Sequence, residues 1–152
     1  MNSYLIRQPE PRDLPEIIQL CAEHAAFEQA DYSPSGKADK LSAHLFNNPP
    51  ACFCLVVEMD GALAGYATYS KEFSTWDADF YIHMDCLFLR PHARSMGIGE
   101  QLIKQIAQSA QTLNCRLIQW QTPKFNKRAI KFYKRIGATE KEKLRFFLKV
   151  DA

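Results

Sequence analysis

No apolar run in the 152-residue sequence approaches the roughly 18 to 20 residues that a membrane helix needs. The opening residues, MNSYLIRQPEP, have neither a basic n-region nor a continuous apolar stretch, so no signal peptide is expected. The five cysteines, at 21, 52, 54, 86 and 115, form no C-x-x-C pair and no metal-ligand spacing, and an odd count suits no disulfide framework. Free, mostly buried thiols in a reducing, cytoplasmic setting are therefore expected, with no bound metal and no membrane partner. Two phosphate loops are missing as well. There is no G-x-x-x-x-G-K-[ST], and a dinucleotide fingerprint over residues 97 to 102 fails because Leu102 stands where its third glycine would be.

What is present fits a soluble globular chain: 47% apolar residues, 24% charged, and a length suited to one domain over 1–152. The net charge of +2 conceals an asymmetry. Residues 1–89 hold 5 Lys+Arg against 13 Asp+Glu, a balance of −8, whereas residues 90–152 hold 14 against 4, a balance of +10. Chance composition gives one account of this; a site for two substrates, one anionic and one cationic, gives the other. No nucleic-acid recognition motif accompanies the basic half, so no nucleic-acid partner is expected.

The pattern along the chain predicts a first strand in SYLIRQ (3–8), then a helix opening at Asp13 with Glu16 completing a capping box. Leu14, Ile17, Ile18, Cys21 and Ala25 recur at helical spacing. A short helix follows over about 37–46. ACFCLVVEM (51–59) and LAGYATYS (63–70) read as strands joined through Asp60-Gly61, a hairpin signal, and FYIHMDCLFL (80–89) as a third strand after the polar stretch KEFSTWDAD. From Gly99, Leu102, Ile103, Ile106, Ala107, Ala110 and Leu113 mark an amphipathic helix. CRLIQWQ (115–121) predicts a strand, NKRAIKFYKRIGA a helix capped by Gly137, and LRFFLKV a closing strand. The order is βααβββαβαβ, an α/β chain with a mixed sheet carrying helices on its faces.

The junction RPHARSMGIGEQLI (90–103) is the informative one. A helix N-terminus leaves N–H groups unpaired and partly positive, and glycines there let a bulky anion come close to the backbone. The spacing R-x-x-G-x-G, with Arg94, Gly97 and Gly99, resembles the pyrophosphate-binding turn of the GNAT-type N-acetyltransferases, and NKRAIKFYKRIGA resembles that superfamily's asparagine, tyrosine and glycine-alanine helix. YLIRQPEPRDLPEIIQL, the FE after the first helix, ARSMGIG and FYKRIGA are most similar to the polyamine (spermidine/spermine) and thialysine N-acetyltransferases.

The resemblance implies a GNAT-like acyltransferase fold, acetyl-CoA as co-substrate, a small amine-bearing cationic acceptor and a homodimer. It implies that Tyr133 protonates the departing thiolate, and that Asp85, where the polyamine enzymes carry a glutamate, draws the proton off the amine through water. Asp85 is one methylene shorter than that glutamate, and Cys86 stands where the family has a second acid. His83 shares a strand face with Asp85 by alternation, so Asp85, His83 or water alone remains open as the base. A base is needed, because a primary alkylamine is only about one part in two thousand neutral at pH 7.

By the same resemblance, the backbone of Leu87, Phe88 and Leu89 pairs with the pantetheine arm. Arg94, Ser95, Met96, Gly97, Ile98, Gly99 and Glu100 surround the pyrophosphate, and Asn126, Lys127, Arg128 and Ala129 flank the arm and the adenosine end. Phe27 and Glu28, with Gln119, Trp120 and Gln121, match acceptor-binding stretches. Trp76 is a further candidate, either for the amine pocket or for the core. An acetyltransferase of a protein N-terminus or of an antibiotic, or a CoA-binding regulatory domain without turnover, are the rival readings.

Overall fold

A computed structural model describes residues 3–151 and divides the chain into two compact units, Met1–Gln121 and Thr122–Ala152. In the first unit, β1 (Leu5–Arg7), β2 (Phe53–Met59), β3 (Ala62–Ser74), β4 (Asp79–Leu89) and β5 (Ile118–Gln119) lie in that order in one sheet. The first four pair antiparallel; β5 joins β4 in parallel. Helices α1 (Leu14–Phe27), α2 (Lys37–Leu45) and α3 (Ile98–Thr112) complete the unit. The expected class, a mixed α/β chain, is the one found.

Two apolar clusters sandwich the sheet. On one face Ile98, Leu102, Ile106 and Ala110, at helical spacing along α3, pack with Leu55, Val57, Ala67, Tyr69, Ile82 and Met84. On the other, Ile17 and Leu20 of α1 meet Cys54, Val56, Leu63, Tyr66 and Phe88. Full burial of each such Leu or Ile contributes about 1.5–3 kcal/mol, so these stripes fix which helix covers which face.

The expected capping box at Asp13 and Glu16 is not formed. The Asp13 carboxylate instead accepts from both Arg7 guanidinium nitrogens, at 2.7 and 3.0 Å, and from the Glu10 amide at 2.7 Å. Glu16 accepts from the Leu63 amide at 2.9 Å. Both acids tie α1 to the sheet, an option that local spacing does not reveal.

The Asp60-Gly61 hairpin is present, with φ of 52° and 78° at its two turn residues, the left-handed pair a tight two-residue turn requires. Residues 71–74, the start of the polar stretch between the two strand readings, belong to β3. Cross-strand pairs hold this exposed ribbon: Phe73 and Phe80 meet edge to face at 5.1 Å, Lys71 lies over Phe80, and the Tyr81 hydroxyl donates to Glu72 at 3.0 Å. Trp76 at its tip is 93% exposed, so the core reading of that residue is wrong.

In the second unit, α4 (Lys127–Arg135) starts where the Asn126 side chain accepts from the Ala129 amide at 3.4 Å. It stops at Gly137, φ 98°, with the amides of Gly137 and Ala138 returning to the carbonyls of Lys134 and Tyr133. That is the glycine stop expected from the sequence. The closing strand expected over LRFFLKV is not formed: Leu144, Phe146, Phe147, Leu148 and Val150 are 78–91% exposed and lie in no regular element. Propensity supplies side chains suited to a sheet but no ladder partner, and this unit contains no other strand among the described residues.

Candidate active site

The position of Asp85 comes from an irregularity. Thr68 pairs with Cys86 and Tyr69 with Met84, so Asp85 is the extra residue of a β-bulge in β4. The bulge takes it out of the packed alternation. Met84 and Leu87 serve the α3 face, Cys86 and Phe88 the α1 face, and the Asp85 carboxylate stands 70% exposed between them. His83 Nε2 is 4.0 Å from Asp85 Oδ1, so the two candidate bases are neighbours beside the bulge. Cys86 Sγ approaches Asp85 Oδ2 at 3.7 Å, and burial pushes its thiol up to about 12, so it holds its proton.

Beyond His83 the sheet opens. Parallel pairing of β4 with β5 is confined to Ile82 with Ile118 and His83 with Gln119, leaving Asp85–Leu89 without a neighbour on that edge among the described residues. The Arg90 amide donates to Ala64 of β3 at 2.8 Å; across one planar peptide the Leu89 carbonyl therefore points the other way, to the open edge. Strand alternation sends the backbone of Leu87 to that edge too and leaves Phe88 to pair with Tyr66. The edge can receive an extended amide-bearing chain as an added strand.

At the end of this edge the chain turns through Ser95, φ 63°, and Gly97, φ 78°, into α3. No side chain caps the helix start, and a Cβ placed at Gly97 would meet nothing within 4 Å. The first-turn amides carry no side-chain cap, which fits an anion held by backbone N–H groups. The side chains of this turn are engaged within the protein. Ile98 is fully buried, Met96 packs beside the α3 cluster, and Glu100 is 3.8 Å from Lys104. The Arg94 Nε donates to the Leu89 carbonyl at 2.9 Å, and its guanidinium lies over the rings of Phe27 and Phe88, at 4.8 and 5.6 Å.

Phe27 and Glu28 close α1 on the same face as Phe88, whose ring is 6.2 Å from that of Phe27. Sequence reasoning missed the support of Glu28. His24 Nε2 is 2.9 Å from Glu28 Oε2 and His24 Nδ1 is 2.9 Å from the Tyr66 hydroxyl, with the imidazole stacked on Phe88 at 5.1 Å. The four-residue interval on a helix was the available signal. Gln119 pairs with His83, whereas Trp120 packs beside the α3-side cluster, away from Phe27 and Glu28; Gln121 is exposed.

Tyr133 lies in α4 of the second unit, half-buried, its ring 5.3 Å from that of Phe132. Asn126 spends its side chain on the helix cap and on Thr122, at 3.2 Å, while Lys127 and Arg128 are exposed and Ala129 supplies the capped amide. Among the described residues no group of three or more His, Cys, Asp or Glu could hold a metal ion.

The acetyltransferase (GNAT) family profile matches residues 16–138. The chain belongs to that family. It is 29% identical over 148 residues to a thialysine N-epsilon-acetyltransferase of Bos taurus, covering 92% of this chain and 86% of the relative. A spermidine/spermine N(1)-acetyltransferase-like protein 1 of Homo sapiens is 26% identical over 92% of this chain and 21% of its own. Among solved structures, an aminoglycoside N-acetyltransferase in complex with CoA shares the fold at a TM-score of 0.80 and 19% identity, over 98% of this chain and 96% of the other. The protein is an acetyltransferase of this family with the family's fold, as the glycine turn and the tyrosine helix had implied.

Proposed function

We propose that this GNAT protein transfers the acetyl group of acetyl-CoA to a primary amine of a small cationic acceptor, such as a polyamine, a diamine or a lysine-like amine. The observation that carries the reading is the open edge of β4 from the Asp85 bulge to Leu89, continued by the left-handed turn at Gly97. It suits a long amide chain ending in a diphosphate. When bound, acetyl-CoA supplies a thioester, an acyl donor already activated, so no covalent enzyme intermediate is required.

The remaining work is proton handling. Asp85, with His83 beside it, would take a proton from the amine through water, and Tyr133 would give its phenolic proton to the departing sulfur. Glu28, next to Phe27, would hold a second cationic group of the acceptor. The thialysine and spermidine/spermine names among the relatives support this acceptor class. The family match across 16–138 runs through both compact units, which supports one acetyltransferase domain. Cytoplasmic residence, supported by five free thiols, and a homodimer complete the reading.

An acceptor screen with mass detection of the acetylated product tests it. Diamines, polyamines, lysine and thialysine should gain the mass of one acetyl group less the hydrogen it replaces, at about one substitution each. Acetylation of aminoglycosides alone would favour the antibiotic reading, which the fold likeness to aminoglycoside acetyltransferases brings into view. Acetyl-CoA binding without thiol release on any amine would favour the regulatory one.

A further inference from the structure

Of the array Glu28–His24–Tyr66 only Glu28 takes part in the proposed reaction, yet the whole is assembled from two elements and is held at both ends. His24 is 14% exposed at its side chain and Glu28 32%, so the imidazole is enclosed while the carboxylate reaches solvent. Glu28 Oε1 has no hydrogen-bond partner among the described residues.

An ionised carboxylate only accepts, so His24 Nε2 must carry a proton in either charge state of the ring. Nδ1 is free to change. Burial pushes the Tyr66 phenol far above its ordinary value, so it keeps its proton and donates it to a neutral Nδ1. When Nδ1 gains a proton, the hydroxyl can rotate and accept, turning its own proton toward Cys21 or Cys86, both within its reach. The array therefore takes up a proton without losing a bond.

We propose that His24 is a positioning residue that sets this enzyme's preference for acceptors with a second cationic group, by orienting the Glu28 carboxylate when neutral and cancelling its charge when protonated. The inference rests on the acceptor reading above. The groups facing the imidazole are Glu28 and, one turn back, Cys21 of α1; Tyr66 of β3; Phe88 and Cys86 of β4; and Arg94, whose guanidinium lies over Phe88. Asp85 also acts electrostatically on Cys21. Of these side-chain types, imidazole is the one whose charge can change between pH 5 and 8. Alkylammonium groups of the acceptor stay charged throughout that range.

The test compares 1,4-diaminobutane with n-butylamine, which lacks the second cation, from pH 5.5 to 8.5. For the wild type, KM for the diamine should fall about tenfold as pH rises through the imidazole range, with no such step for butylamine. His24→Gln keeps a donor toward Glu28 but cannot charge, so KM for the diamine should stay low and flat; Glu28→Gln should leave it high and flat. The kcat profile should keep its shape in His24→Gln, because Asp85, His83 and Tyr133 are untouched. A tenfold preference also requires, by linkage, that saturating diamine lower the His24 pKa by about one unit, read from the imidazole proton resonances of the wild type. A KM step that persists in His24→Gln, an equal step for butylamine, or an imidazole pKa unmoved by diamine overturns the proposal. Acetylation of diamines with any of those results leaves the acceptor reading standing. Acetylation of no amine removes that reading, while the resonance shift still decides the role of His24.

Discussion

The guanidinium carbon of Arg94 lies 4.8 Å from the centroid of the Phe27 ring, joining the turn before α3 to the end of α1. Such a contact is worth about 0.5–2 kcal/mol, more when desolvated. Arg94→Ala should therefore lower Tm by about 2–4 °C. It should also raise KM for the amine, because Phe27 loses its lid. An unchanged Tm in differential scanning calorimetry would show that the stacking carries no stability.

Gly97 occupies a left-handed conformation with open space where a side chain would project. A β-branched residue is strained there by about 1–3 kcal/mol and would stand in the path of an anion approaching the first-turn amides of α3. Gly97→Val should weaken acetyl-CoA binding by at least about tenfold in titration calorimetry. An unaffected dissociation constant would count against the turn as the diphosphate site.

Tyr133→Phe removes one hydroxyl from a half-buried ring in α4. Loss of one proton-transfer group should reduce kcat by roughly 10 to 1,000-fold, with acetyl-CoA affinity little changed. Unaltered turnover in a thiol-release assay would return the tyrosine to a packing role.

Arg7 holds the buried carboxylate of Asp13 with two hydrogen bonds and reaches Glu58 at 3.1 Å. The Arg7 pairing holds Asp13 below the usual carboxyl range. A depressed folded-state value contributes stability above the unfolded value of about 3.9, and that stability is lost as pH falls through the folded value. Wild-type stability should thus decline below about pH 4. Arg7→Met leaves the charge unpaired and should cost about 3–5 kcal/mol at pH 7, with a shallower acid dependence. Urea denaturation at pH 3 to 7 reads both.

Burial raises the Cys54 and Cys86 thiols to about 12. Alkylation by iodoacetamide at pH 7.5 should be at least about 100-fold slower at these two residues than at a free cysteine, because the thiolate is the nucleophile. Peptide mapping of the native protein would expose any faster site.

Much of this was legible in the sequence because it is local. The periodicity of α3, the left-handed turn at Asp60-Gly61 and the glycine stop at 137 each follow from a few neighbouring residues. What was not legible depends on partners distant in sequence. Asp13 and Glu16 had capping spacing, yet Arg7 and the Leu63 amide claimed them. LRFFLKV had strand composition without a ladder to join. The same holds at the site. The resemblance singled out Asp85 and Glu28, but the bulge that frees Asp85 and the imidazole behind Glu28 appear only once β3, β4 and α1 are side by side.

The extra residue in β4 also separates two kinds of change. Deleting it would restore regular pairing with the strand's other side chains where they are, Leu87 toward α3 and Phe88 toward α1. Replacing it disturbs neither hydrophobic layer, since position 85 belongs to neither. A replacement there alters the chemistry at the strand edge and a deletion removes it, while both hydrophobic layers keep their places.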